Sequence, residues 1–210
     1  MCTDIGERTG RVQLVRHGQS HANAGAATSD PAAIPLTEEG ESQAEVFASS
    51  LRTPPDRIIA SPYLRAQQTA RPTSLRYGVP IETWPVQEFT YLSPARCVGT
   101  TADDRRDWVA DYWRRADPHY SDGPGAESFA DLITRVKAAV LDLERLLLAG
   151  NDAVVFGHGQ FMAALRLFLR TESACDKQLF KAMRLDLERP IPNCSGYSLN
   201  YRDGRLELWP

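Results

Sequence analysis

The stretch RVQLVRHG, residues 11–18, decides the fold. Val12, Leu14 and Val15 form an apolar run of strand length that halts at Arg16-His17-Gly18. A second stretch, AVVFGHG over residues 153–159, repeats the form: an apolar run, then Gly157-His158-Gly159. Both runs are too short for a helix and carry β-branched residues, so both are predicted as buried strands. Between them, Phe129, Leu132, Ile133, Val136, Val140, Leu143 and Leu147 recur every three or four residues. That spacing predicts an amphipathic helix from Ser128 to Ala149, capped by Ser128 at its start and Gly150 at its end.

Outward from these stretches the alternation continues. Thr37 reads as the N-cap of a helix with Glu38 and Glu39 in its first turn, where the helix dipole favours negative charge. Arg57–Ala60 is a second short strand. Ser61-Pro62 reads as the N-cap and first residue of a helix carrying Leu64, Arg65 and Gln68, which Pro72 is expected to end or kink. Ile81–Trp84 is a third strand. Helices are predicted over Asp104–Arg115, Phe161–Arg170 and Cys175–Leu187. Two final strands, Gly196–Tyr201 and Arg205–Leu208, join at Asp203-Gly204, a hairpin signal. Strands alternating with helices indicate an α/β fold around a mostly parallel sheet, and in such sheets ligands sit at the carboxyl ends of the strands. His17 and His158 are therefore expected at one edge of one sheet. The segment Phe89–Pro124 reads as an excursion from that sheet.

Composition narrows the function. The 210 residues fit one domain, and 42% hydrophobic with 24% charged residues is ordinary for a soluble globular chain. No apolar run approaches the ~18 residues of a membrane span, and Met1–Gly10 lacks the apolar core of a signal peptide. A net charge of −3 argues against a general nucleic-acid binder. Cys2, Cys97, Cys175 and Cys194 are scattered, with no C-x-x-C pair and no zinc spacing. They read as reduced thiols of a cytoplasmic protein. His17 and His21 are four apart but follow a strand and lack the H-E-x-x-H pattern of a zinc helix. His21 and His119 are given no chemistry. Arg16, a fixed cation beside His17, favours the neutral, nucleophilic imidazole.

The motifs together resemble the histidine phosphatase superfamily, also called phosphoglycerate-mutase-like. Its opening motif matches Arg16-His17-Gly18-Gln19-Ser20-His21-Ala22-Asn23. A P-L-T-x-x-G-x-x-Q-A block follows at Pro35–Ala44, and S-P-x-x-R-A-x-Q-T-A at Ser61–Ala70. Gly125-Ala126-Glu127-Ser128 resembles the family's G-E-S segment with one residue added, and Gly157-His158-Gly159 its second histidine motif. The resemblance implies a three-layer α/β sandwich with helices on both faces of the sheet, and an insertion, residues 89–127, capping the site. It implies that His17 attacks phosphorus and becomes phosphohistidine. Arg16, Arg65 and His158 would hold the phosphoryl oxygens, with Asn23 a further polar contact. Glu88, after the third strand, is the expected general acid and base, and Glu82 the fallback. Leu92 stands where the family's acid turn has glycine. Ser20, Tyr91, Gly159 and Gln160 are expected to touch substrate or phosphate, and Arg96, Arg105 and Arg106 to read a second anionic group or to form a solvated face.

The expected activity is hydrolysis of a small phosphorylated substrate with no cofactor, no metal, no nucleic acid and no membrane. Oligomeric state is left open. Two alternatives stand beside it. One is a mutase, whose tryptophan-bearing segment after the first motif is replaced here by the small, polar Ala24–Ala33. The other is a phospho-ligand binder without catalysis, against which the full set of reactive residues argues.

Overall fold

The computed structural model describes residues 9–28, 30–171 and 174–209. Cys2 and most of the expected flexible stretch 1–10 lie outside the described residues. Gly10, at its end, is buried and donates its N–H to the Leu147 carbonyl at 2.9 Å.

The chain runs β1 (Arg11–Arg16), α1 (Glu38–Ser50), β2 (Arg57–Ala60), α2 (Leu64–Tyr77), β3 (Ile81–Thr83), α3 (Pro94–Cys97), α4 (Arg106–Arg115), α5 (Phe129–Leu148), β4 (Ala153–Gly157), α6 (Gly159–Arg170), α7 (Asp176–Asp186), β5 (Gly196–Arg202) and β6 (Arg205–Trp209). The strands form one sheet in the order β3-β2-β4-β1-β5-β6. The first three neighbouring pairs are parallel. The β1–β5 and β5–β6 pairs are antiparallel, so only β5 runs against the rest. Asp203 and Gly204 both have positive φ, 51° and 83°, as a two-residue hairpin turn requires.

Period-two alternation splits each central strand between two cores. Val12 and Leu14 of β1, Ile59 of β2, and Ala153 and Val155 of β4 face the layer formed by α5, α6 and α7. Val15, Ile58, Ala60, Val154 and Phe156 face α1 and α2, which contribute Phe47 and Ala70. Helices on both faces of a mostly parallel sheet give the α/β sandwich the sequence implied. The helix α5 supplies the largest apolar stripe. Its start carries a capping box in which Asp131 N–H donates to Ser128 Oγ at 3.2 Å and Ser128 N–H to Asp131 Oδ2 at 3.1 Å.

One local expectation fails and a second narrows. Ser61 does not cap α2, which begins at Leu64 after Tyr63. The Ser61 hydroxyl accepts the Tyr63 N–H at 3.1 Å and turns towards His158 instead. Of the two outcomes expected at Pro72, an end or a kink, the helix does not end there and continues to Tyr77. An interior proline costs about 3 kcal/mol, and burial of Ala66, Thr69, Ala70 and Thr73 along the packed face offsets it. The excursion after β3 is joined to the main body by aromatic rings. Tyr112 and Trp113 of α4 meet Phe180 of α7 at 5.9 and 4.8 Å between centroids, and Phe89 meets Phe129 of α5 at 6.1 Å. Core packing thus accounts for Trp113, while Trp209 on the edge strand β6 is half-exposed. Among the described residues no helix is long and apolar enough to cross a membrane.

Candidate active site

The strand β1 delivers His17 to the carboxyl edge of the sheet. The loop behind it is shaped by backbone contact: a Cβ on Gly18 would lie 2.5 Å from the Gly40 carbonyl oxygen, and one on Gly40 2.0 Å from that of Gln19. Glycine alone allows this approach. Gln43 Oε1 accepts the Gln19 N–H at 2.9 Å, and Thr69 Oγ1 accepts the Gly18 N–H at 3.0 Å. Those motif residues hold the His17 loop.

His17 is 2% exposed. Its Nδ1 lies 2.7 Å from the Gly18 carbonyl, which can only accept, so Nδ1 carries the proton. Nε2 is left with its lone pair, and Arg65 Nε donates to it at 3.1 Å. Burial and the positive charge of Arg65 push the imidazole down to about 3, with Arg16 a smaller contribution in the same direction. The direction expected from Arg16 holds, but burial and Arg65 lead it.

His158 follows β4 at the start of α6 and is fully buried. Its Nε2 is 2.8 Å from Ser61 Oγ, while its Nδ1 has no partner. The two histidine rings are 5.0 Å apart. Burial, then Arg65 and His17, hold His158 well below the usual histidine range. Arg16 donates from Nη1 to the Ile191 carbonyl at 2.6 Å, and its buried Nε is also unpartnered. Arg65 donates from Nη1 to the Pro31 carbonyl at 2.6 Å. Buried polar groups are rarely left unmatched. Here Arg16 Nε, His158 Nδ1 and the His17 lone pair all belong to one edge of the sheet, an arrangement suited to a tetrahedral oxyanion.

Glu88 sits on the loop after β3. Its Oε1 accepts the Gln160 N–H at 3.0 Å, in the first turn of α6, and the Phe89 N–H at 3.2 Å. Arg135 of α5 braces that loop: it donates to the Pro85 and Gln87 carbonyls at 3.1 and 2.9 Å and pairs with Glu127 at 2.7 Å. Leu92, in place of the family's glycine, is buried and leaves the carboxylate in reach of the site. Glu82 is committed elsewhere, to an ion pair with Arg57.

Two chambers meet at Glu88, Tyr91, Val109 and Gln160. One, of about 510 Å³, is lined by Arg16, Asn23, Gly159 and the segment 184–191. The other, of about 250 Å³, is lined by Arg65 and Tyr63 and by the excursion. Burial pushes the Tyr91 hydroxyl up to about 12, so it is a neutral donor. Ser20 lines neither chamber; its Oγ accepts the Asn23 N–H at 3.3 Å and Asn23 Oδ1 accepts the Ser20 N–H at 3.2 Å, a support for the loop. Of the three excursion arginines only Arg105 lines a chamber. Arg96 lies over Trp108 at 4.2 Å and pairs with Asp122, and Arg106 pairs with Asp103 at the surface. His21 and His119 are exposed.

Three supports escape a reading of the sequence: Ser61 under His158, Arg135 under Glu88, and Asn193. Asn193 Nδ2 donates to the His17 carbonyl at 2.8 Å, and the next residue, Cys194, donates its N–H to the Arg16 carbonyl at 2.9 Å. Cys194 adopts φ 50°, a left-handed turn that brings this segment back onto β1. No motif spacing links residue 193 to residue 17. Among the described residues no three His, Cys, Asp or Glu side chains cluster as a metal site would, and Cys97, Cys175 and Cys194 are free.

A family model for the histidine phosphatase superfamily (branch 1) matches residues 12–209. The adenosylcobalamin/alpha-ribazole phosphatase of Salmonella typhimurium is 30% identical over 155 residues, 69% of this chain and 75% of that protein. A protein of Enterobacter sp. named "Probable phosphoglycerate mutase" is 33% identical over 160 residues, 74% of this chain and 72% of its own. The alpha-ribazole phosphatase structure from Shigella flexneri superposes with a TM-score of 0.72 at 20% identity, covering 95% of this chain and 94% of that one.

Proposed function

The chain belongs to the histidine phosphatase superfamily, and from that premise we propose that it is a metal-independent phosphomonoesterase working through phosphohistidine on His17. One observation carries the reading. The Nδ1–H of His17 is fixed on the Gly18 carbonyl, so the reactive lone pair is on Nε2, aimed at the cation Arg65.

Substrate binding moves the Arg65 Nε–H from that lone pair to a phosphoryl oxygen. Arg16 Nε takes a second oxygen, and His158, in the tautomer whose Nε2 accepts the Ser61 hydroxyl proton, donates Nδ1–H to a third, each exchanging an unmatched buried state for a hydrogen bond. The transition state spreads charge over those oxygens, and preorganised cations stabilise it in the place of a metal ion. His17 Nε2 forms the N–P bond as the ester P–O bond breaks. Glu88 gives its proton to the leaving alkoxide. The Nδ1–H to Gly18 bond stabilises the charge on the phosphorylated ring. Glu88, now a carboxylate, takes a proton from water; the water oxygen attacks phosphorus, the N–P bond breaks, and phosphate leaves. Asn23 and Tyr91 would orient the ester, Gly159 and Gln160 would line its path, and residues 89–127 would cap it.

The experiment is release of inorganic phosphate from a phosphomonoester panel with chelator present. Turnover unaffected by chelator, with an acid-labile phosphoenzyme trapped on wild type and absent from His17→Ala, is the expected result. Inertness on the whole panel overturns it. Conversion of 3-phosphoglycerate to 2-phosphoglycerate faster than its hydrolysis would establish a mutase instead.

A further inference from the structure

The smaller chamber has few charged side chains, and each is tethered by hydrogen bonds within the protein. Its charged side chains are Arg65, Glu88 and Arg105. Arg65 spans His17 Nε2 and the Pro31 carbonyl. Glu88 accepts two backbone N–H groups. Arg105 is a strut: its Nη2 donates to Thr28 Oγ1 at 3.0 Å and its Nε to the Thr101 carbonyl at 2.9 Å. That strut belongs to the joint between the excursion and the loop after β1, where Thr28 N–H donates to the Thr100 carbonyl and Gly99 N–H to the Thr28 carbonyl, both at 2.8 Å. An anion drawn to Arg105 would compete with that joint. Thr28, Thr90 and Gln160 add uncharged polar groups, and the remainder of the wall is apolar or aromatic, including Ile34, Tyr63, Phe89, Leu92, Cys97 and Val109.

This chamber also borders the arginine that touches His17 Nε2. Arg65, which touches His17 Nε2, lines it and does not line the larger one. Glu88, which must reach the leaving oxygen, lines both. We propose that the smaller chamber takes the alcohol half of the ester, and that the substrate is the phosphomonoester of an uncharged apolar or aromatic alcohol. Its volume of about 250 Å³ equals roughly eight water volumes, room for one ring on a short chain. The inference rests on the phosphomonoesterase reading and adds the substrate class to it.

Three esters of primary alcohols test it, because their leaving groups differ chiefly in polarity and charge: 3-phenylpropyl phosphate, glycerol 3-phosphate and 3-phosphoglycerate. The expected kcat/KM is higher for the phenylpropyl ester by about tenfold or more, the scale of discrimination by one apolar pocket. Ile34→Asp should raise KM for that ester by more than it raises KM for glycerol 3-phosphate, so that the preference between the two narrows. Ala102→Asp, on an exposed turn of the same wall, should act in the same direction and serves if Ile34→Asp does not fold. Equal or faster turnover of either polar ester overturns the inference while leaving the phosphatase reading intact. If Arg105→Leu then abolishes a preference for 3-phosphoglycerate, the chamber reads an anion. No hydrolysis of these esters or of p-nitrophenyl phosphate overturns both.

Discussion

At the amino-terminal edge of the strands, Arg11, Arg52 and Asp152 line a recess of about 450 Å³; at the carboxyl edge, Arg16, Glu88 and Gln160 line one of about 510 Å³. The two differ in how their polar groups are satisfied. In the first, the Arg11 guanidinium donates to Ser198 Oγ at 3.1 Å, its backbone N–H to Asp152 Oδ1 at 2.8 Å, and the Asp152 N–H to Asp56 Oδ2 at 2.7 Å. These groups are matched and in contact with water. At the second edge, Arg16 lines the recess and its Nε has no partner, while His17 and His158 are buried and His158 Nδ1 also lacks one. Volume is nearly equal and says little. Desolvated groups held in an unmatched state are what mark a place where a ligand completes the structure.

The comparison breaks most visibly by exchanging His17. His17→Ala should lower kcat by on the order of 10⁴ or more, while Arg52→Ala, at the opposite edge, should leave kcat/KM near wild type. Comparable losses in steady-state phosphate release would erase the distinction between the edges. Glu88→Gln keeps the shape and removes the proton; kcat should fall by about 10²- to 10⁴-fold. The loss should be smallest for esters whose leaving groups need no protonation, and a uniform loss across leaving groups would assign the proton to another residue.

Asn193 sharpens the comparison, since it acts on His17 only through the backbone. Asn193→Ala should cost roughly ten- to a hundredfold in kcat with KM little changed, the scale of a small misplacement of reacting atoms. A change confined to KM would place it in substrate binding.

The smallest effect concerns acid stability. The His17 imidazole is held at about 3 and His158 well below its usual range, whereas an unfolded histidine titrates near 6.5. Below about pH 6.5 the unfolded chain therefore binds protons that the native chain refuses. Stability is full above that pH and falls as pH drops towards 3, by up to about 1.4 kcal/mol per pH unit for each histidine. Urea midpoints should be lower at pH 5 than at pH 7.5, and His158→Asn should shrink the difference. An unchanged difference would assign the acid loss to carboxylates.

How much of this was legible follows from the kind of interaction. The strands β1, β2 and β4 and the helix α5 announce themselves because burial on fixed faces imposes period two or period 3.6 on the residues themselves. Gly18, Gly40, Gln43 and Thr69 were legible only as motif letters; their meaning is a backbone-to-backbone contact between a loop and α1. Ser61 looked like a helix cap, because Ser-Pro ahead of a helical run has that form locally, and His158 claims its hydroxyl instead. Pro72 looked like a helix end or kink, and tertiary burial overrode its local cost.

The sequence by itself determined the alternation of strands and helices, the two Gly-flanked histidines after strands, and the resemblance that ties Arg16, His17, Arg65 and His158 together. These depend on local periodicity and on short ordered motifs. Only the tertiary structure decided the proton's place on His17, the unmatched nitrogens of Arg16 and His158, the Asn193 and Arg135 braces, and the tethered charged side chains of the smaller chamber. Those depend on groups far apart in the chain meeting at hydrogen-bond distance away from water, and no spacing along the chain encodes such a meeting.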